Sequence, residues 1–204
     1  MPKAPAQGKR STSRPRGNGR REQIIDVATG LFRQKGYHAT SLDDIADAIG
    51  FTKPAIYYYF KSKDDILFAI IDDIVDQGLR RIQAVASREA SATERMHDLL
   101  VENTRVILEN LNANTVFYNE RGLLSAEHER AIRAREREYT KIVEDLYVEG
   151  VENGEFIDVD PHIATSTLLG ASIWSYRWFD PEGELSIDEI AEGIARILLE
   201  GYRV

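Results

Sequence analysis

The sequence predicts an all-α chain, and three observations carry that prediction. Apolar residues recur at spacings of three and four along most of the length, with no alternating run of the kind a half-buried strand needs. Helix-opening signals stand where the stripes begin: Ser41 is followed three residues on by Asp44, and Ser91 by Glu94. Glycines stand where stripes end, at Gly36, Gly50 and Gly154.

In chain order, residues 1–19 form a low-complexity arm rich in Pro, Gly, Ser and basic side chains. Such a segment buries too little apolar surface to offset its ordering entropy, so it is expected to be disordered. Lys3, Lys9, Arg10, Arg14 and Arg16, with no acid among them, suit phosphate contacts or a minor groove, the alternative being a solvated tail. The first helix is expected over 20–36, with Ile24, Ile25, Ala28, Leu31 and Phe32 facing inward.

The segment 41–63 is the most specific stretch. Leu42, Ile45, Ala46 and Ile49 mark a helix of about two turns, and Gly50 then ends it. Phe51 anchors the turn, Thr52 caps a second helix, and Pro54 sits in its first turn, where no N–H is needed. Ile56, Tyr59 and Phe60 continue the buried stripe, leaving Lys53, Tyr57 and Tyr58 on other faces. Two short crossed helices with a polar outer edge are a helix-turn-helix, the second helix being the one that enters a major groove. Lys53 suits guanine O6 or N7 and the Ala55 methyl a thymine methyl, while Tyr57, Tyr58 and Lys63 suit phosphates. The candidate DNA-binding set is Thr40, Ser41, Thr52, Lys53, Pro54, Ala55, Tyr57, Tyr58, Tyr59 and Lys63.

Residues 20–68 resemble the N-terminal domain of the tetracycline-repressor (TetR) family. The matching pieces run from Ala28 to Tyr37, from Thr40 to Ala46 and from Ile56 to Leu67. The resemblance implies a homodimeric, ligand-released transcriptional regulator, usually a repressor. Members often carry Gly where Pro54 stands, a departure that bears on which bases are read. The implied organisation is an arm over 1–19, a helix-turn-helix DNA-binding domain over 20–66, and a ligand-binding and dimerisation domain over 67–204.

Charge supports that division. Residues 1–63 hold 12 Lys/Arg and 5 Asp/Glu, a balance of +7, whereas residues 64–204 hold 14 and 29, a balance of −15. A basic reading module on an acidic body is held to DNA by its head alone. There is no cysteine, which suits a reducing cytoplasm and excludes disulfides and thiolate chemistry. No long apolar run suits a membrane. His38, His97, His128 and His162 are far apart in sequence, and neither a metalloprotease spacing nor a phosphate-binding glycine motif occurs. Neither catalysis, nor a metal, nor a cofactor is expected; His128, between Glu127 and Glu129, reads as a surface histidine.

Beyond Ser62 a long fourth helix carries Ile66, Leu67, Ile70, Ile71, Ile74, Val75, Leu79 and Ile82, a stripe wide enough to touch both head and body. Further helices are expected from Ser91 to about Leu111, over 125–153, from Pro161 to about Phe179 and over 187–203, with a short helix and loop over 113–124. Ala164, Thr167, Ala171 and Trp174 with Ile190, Ile194 and Ile197 form the expected dimer interface. Two reading heads then imply a pseudo-palindromic operator with half-sites about 34 Å apart or a multiple of it. Phe117, Tyr118, Arg121, Trp174, Arg177 and Trp178 are the candidate ligand residues, since aromatics beside guanidiniums suit an apolar molecule with an anionic group. The tail from Leu168 to Ala191 also resembles family members that respond to acyl-coenzyme A thioesters. The expected function is a sequence-specific repressor released by a small-molecule effector. An activator or global DNA-binding regulator without such release is the alternative.

Overall fold

The computed structural model describes residues 17–201, so the arm up to residue 16 and residues 202–204 lie outside the described residues. Within them the chain is helical throughout, with no strand. The helices are α1 (Gly17–Lys35), α2 (Leu42–Ile49), α3 (Lys53–Tyr59), α4 (Lys63–Ala86), α5 (Ala92–Glu109), α6 (Leu111–Glu120), α7 (Ala126–Glu152), α8 (Pro161–Trp178) and α9 (Ile187–Glu200).

Local chemistry sets most of these boundaries. Ser41, Ser91 and Ser186 each open a helix through a reciprocal capping box, with Asp44, Glu94 and Glu189 returning the bond. Gly36 and Gly50 follow α1 and α2 with φ of 83° and 76°, a backbone state in which any other residue is strained. Asp160 caps α8 by accepting from the backbone N–H groups of His162 and Ile163, ahead of Pro161. Gly150, inside α7, leaves room for the Phe156 ring, which a Cβ at that position would strike.

Three boundaries differ from expectation. Helix α1 begins at Gly17, inside the stretch assigned to the arm. The expected short helix and loop over 113–124 is a full helix from Leu111 with one 3-10 turn, Arg121–Leu123, because Asn110 starts it directly after α5. Helix α9 stops at Glu200, where Gly201 turns to positive φ.

The packing joins head to body. Ile24, Phe32, Ile45, Ile56 and Phe60 of the head share one buried cluster with Ile66, Leu67 and Ile70 of α4, Phe117 of α6 and Ile132 of α7. A boundary at residue 66 therefore runs through continuous core. A second cluster, around Ile82, Met96, Leu99, Leu100, Leu146 and Leu168, holds the far end of the body.

Candidate functional site

The reading head exposes the edge that a duplex requires. Thr52, Lys53, Pro54, Tyr57 and Tyr58 are exposed, Tyr58 at 82%. Tyr59 is half-buried against the core and meets the Tyr58 ring edge-on at 5.0 Å. Thr52 caps α3 with its carbonyl, which accepts from Ala55 and Ile56; its hydroxyl makes no capping bond, contrary to expectation. That hydroxyl remains available to a phosphate. The Lys53 ammonium donates to Asp43 at 2.8 Å, and this bond holds its pKa above the usual lysine value. Asp43 lies in the first turn of α2, so α2 orients the cation that α3 presents.

Two expected contacts are placed elsewhere. Thr40 is buried, with its hydroxyl donating to the Gly36 carbonyl at 2.9 Å. Lys63 donates to the carbonyls of Tyr37 at 2.5 Å and Thr40 at 2.7 Å and lies 4.1 Å from the centre of the Tyr37 ring. Those carbonyls belong to the turn after α1, where that of Tyr37 also accepts from the Thr40 backbone N–H, and the ammonium gives both a charged donor. Burial lowers its pKa. Lys63 is thus a staple between α4 and the head, not a free phosphate ligand.

Behind the head, α4 to α8 enclose a cavity of about 180 Å³. Ile74, Val75 and Gly78 of α4 form one wall, Leu169 and Ile173 of α8 another. Phe117, Tyr118 and Arg121 line it, with Asn103, Glu136 and Tyr139 beside them. Arg121 and Glu136 form a two-pronged pair, at 2.6 and 2.7 Å, so the guanidinium is already neutralised. The Tyr139 hydroxyl donates to the Asn103 side-chain oxygen at 2.6 Å, while the Asn103 amide nitrogen has no partner. Burial raises the Tyr118 and Tyr139 pKa values, keeping both phenols protonated. A larger groove, of about 960 Å³, runs between α1, α4, α6 and the turn after α8, but it is wider open and carries charged side chains such as Asp26, Arg33, Asp73 and Glu109.

Comparison with known proteins decides the family. Residues 89–202 match the tetracyclin repressor-like C-terminal domain, and residues 24–70 match the bacterial regulatory proteins of the tetR family. The chain belongs to the TetR family of transcriptional regulators. A solved TetR/AcrR-family regulator from Thermobifida fusca YX-ER1 is 66% identical, over 92% of this chain and 100% of that one, with a TM-score of 0.74. The HTH-type transcriptional repressor KstR2 of Mycolicibacterium smegmatis is 28% identical over 89% of this chain and 90% of its own. AibR, solved with isovaleryl coenzyme A and operator DNA, is 27% identical over 88% of this chain and 98% of that one, with a TM-score of 0.80.

Within this TetR-family fold the remaining expected residues divide. Trp174, Arg177 and Trp178 do not line the cavity: Trp174 is 60% exposed, Trp178 50%, and Arg177 lies over the Trp174 ring. They sit on the outer face of α8 with Thr167 and Ile163, and Ile197 of α9 is exposed as well. Ala164 and Ile190 are buried within the protomer and Ile194 is packed beside Ile190, while Ala171 is half-buried. Of the expected interface stripe, Thr167, Trp174 and Ile197 lie on the outer face, where Ile163 joins them. No helix among the described residues is long and apolar enough to cross a membrane.

His128 is the other correction. Its ring lies 2.6 Å from Asp64 and 3.9 Å from Asp65, and stacks on Phe68. Asp64 also accepts from the backbone N–H of Ser125, so the start of α7 is latched to the start of α4. These three side chains form the grouping of metal-ligand type among the described residues. Sequence neighbours pointed only to Glu127 and Glu129; the partners lie 63 and 64 positions away.

Proposed function

We propose that this TetR-family regulator is a homodimeric, cytoplasmic repressor, without enzymatic activity, that leaves its operator when a small molecule occupies the cavity behind α4. The double duty of α4 carries this reading. Its first residue, Lys63, is bonded to the head, and about three turns further on Ile74, Val75 and Gly78 wall the cavity. A ligand that displaces the wall turns the reading helix with it. The effector acts only if it binds the DNA-incompetent arrangement better, and a coupling of about 1–3 kcal/mol is ordinary.

The effector class we favour is an acyl-coenzyme A or a related lipid-derived metabolite. An engineered cavity of about 150 Å³ is known to hold benzene, so a cavity near that size takes a small apolar group rather than a whole cofactor. An open groove of about 430 Å³ adjoins it, sharing Glu136 and Thr140 and adding Glu144, Arg133, which is paired with Glu129, and Arg137, a cation suited to a phosphate. The similarity to AibR, solved with isovaleryl coenzyme A, points the same way. The exposed Ile163, Trp174, Trp178 and Ile197 face supports pairing with a second copy through α8 and α9.

An operator fragment recovered by unbiased selection, followed by fluorescence anisotropy against a series of acyl-coenzyme A thioesters, tests the reading. Release by one chain-length class is expected; many unrelated sites with no release by any thioester would favour a global DNA-binding regulator. Trp174→Arg with Trp178→Arg is expected to give monomers by analytical ultracentrifugation and to weaken operator binding.

A further inference from the structure

The Asn103–Tyr139 pair carries a polar imbalance that the fold itself leaves unresolved. Asn103 is 8% exposed, lines the cavity, and has an amide nitrogen with no hydrogen-bond partner among the described residues. Its oxygen accepts from the Tyr139 hydroxyl at 2.6 Å, so that acceptor is satisfied. Turning the amide over does not remove the imbalance, because the Asn103 oxygen and the Tyr139 proton are then both left without a partner, whereas the amide as placed leaves only the nitrogen so. With the amide as placed, the surplus group is the Asn103 donor, on a side chain that lines the cavity. A buried donor without an acceptor is costly, and such groups persist where a ligand or water completes them.

Charge narrows the ligand group further. The charged side chains lining the cavity are Arg121 and Glu136, and they neutralise each other in a two-pronged pair. A carboxylate entering here meets no free cation and stands near the Glu136 carboxylate, at a high desolvation cost. An uncharged carbonyl meets only the donor.

We infer that the effector is recognised through an uncharged carbonyl oxygen that accepts from the Asn103 side-chain amide, which Tyr139 holds in place, so that the esterified acyl group is bound and the free acid of the same chain is refused. This rests on the acyl-thioester reading above and specifies which atom of the effector the protein reads.

Calorimetry on the full-length protein with three probes sharing one five-carbon chain tests it. The probes are the coenzyme A thioester, the coenzyme A thioether with methylene in place of the carbonyl, and the free acid. The thioester is expected to bind about tenfold more tightly than the thioether, and the free acid not at all. In Asn103→Leu/Tyr139→Phe the thioester is expected to fall to the level of the thioether. The same double variant, without ligand, should melt no lower than the native protein, since it removes an incomplete buried pair. A fall of more than about 4 °C would mark the pair as structural and overturn the inference. Equal binding of thioester and thioether would overturn it while leaving the coenzyme A class standing. Tight binding of the free acid would overturn it too, by showing that Arg121 turns from Glu136 to the ligand. Silence of both coenzyme A probes, with operator binding intact, would sink the effector class and this inference with it.

Discussion

The reading head and the body solve opposite problems. In the head the turn carbonyls of Tyr37 and Thr40 are matched by Lys63, and Thr40 by Gly36, while the polar side chains of α3 point to solvent. In the body, polar side chains are turned inward, and two of them, Asn103 and Thr165, hold buried atoms with no partner. A surface that must fit one rigid duplex gains from being settled beforehand. A cavity that must respond to its occupant gains from being incomplete without it. Rigidity ends at α4, which is fixed at one end and forms a cavity wall in the middle.

The largest effect is expected at the seam itself. Phe117 is buried in the cluster that joins α1–α3 to α6 and α7, and it also lines the cavity. Phe117→Ala should cost about 3–5 kcal/mol, by analogy with other buried aromatic truncations. Because the core is continuous, head and body should still unfold together, with amide exchange in α1 and α7 accelerating in parallel. If the head melts separately and well below the body, the shared core does not couple them and the comparison fails.

Two lysines then separate positioning from reading. Lys53→Ala should weaken operator binding by about 1–3 kcal/mol and relax base preference at one position of each half-site, seen by anisotropy on a panel of substituted operators. Lys63→Ala should leave the salt dependence of binding unchanged and destabilise the head by about 1–2 kcal/mol, since two turn carbonyls lose a charged donor in a partly exposed place. A salt slope lowered by about one in Lys63→Ala would restore it as a phosphate ligand and undo the staple.

Those two residues also show what was legible in the sequence. The boundaries of α2 and α3 follow from signals within a few residues of each other, namely Ser41 with Asp44, Gly50 and Pro54, and the structure places them there. The outward placing of Lys53, Tyr57 and Tyr58 follows from the same short period. The bonds of Lys63 are not legible, because its partners, Tyr37 and Thr40, lie 26 and 23 positions away and offer backbone oxygens, which leave no trace in side-chain pattern. The cavity fails to show for the same reason: Asn103 and Tyr139 are 36 positions apart on different helices. Trp174 is expected both in a dimer face and in a pocket, because the two are written in the same apolar residues, and the structure turns it and Trp178 outward.

The smallest expected effect distinguishes the two regions by acid. Asp44 in the head, and Glu94 and Glu189 in the body, have lowered pKa values, chiefly because each accepts from the side chain and then the backbone of its capping serine. Glu155 is lowered too, by accepting from the backbone N–H groups of Thr93 and Ala92 at the start of α5. A carboxylate whose folded value lies below its unfolded one stabilises the fold at neutral pH, and that contribution is lost as pH falls through the folded value. Acid should therefore loosen one helix start in the head, that of α2, and two in the body, those of α5 and α9, with α5 losing two acceptors at once. Amide exchange in the first turns should rise on acidification in the order α5 first, then α9 and α2 together. Asp44→Asn should abolish the acid response of α2 and leave that of α5 intact. If α2 opens before α5, the head is held by its cap rather than by its core, and the ranking of the two regions is reversed.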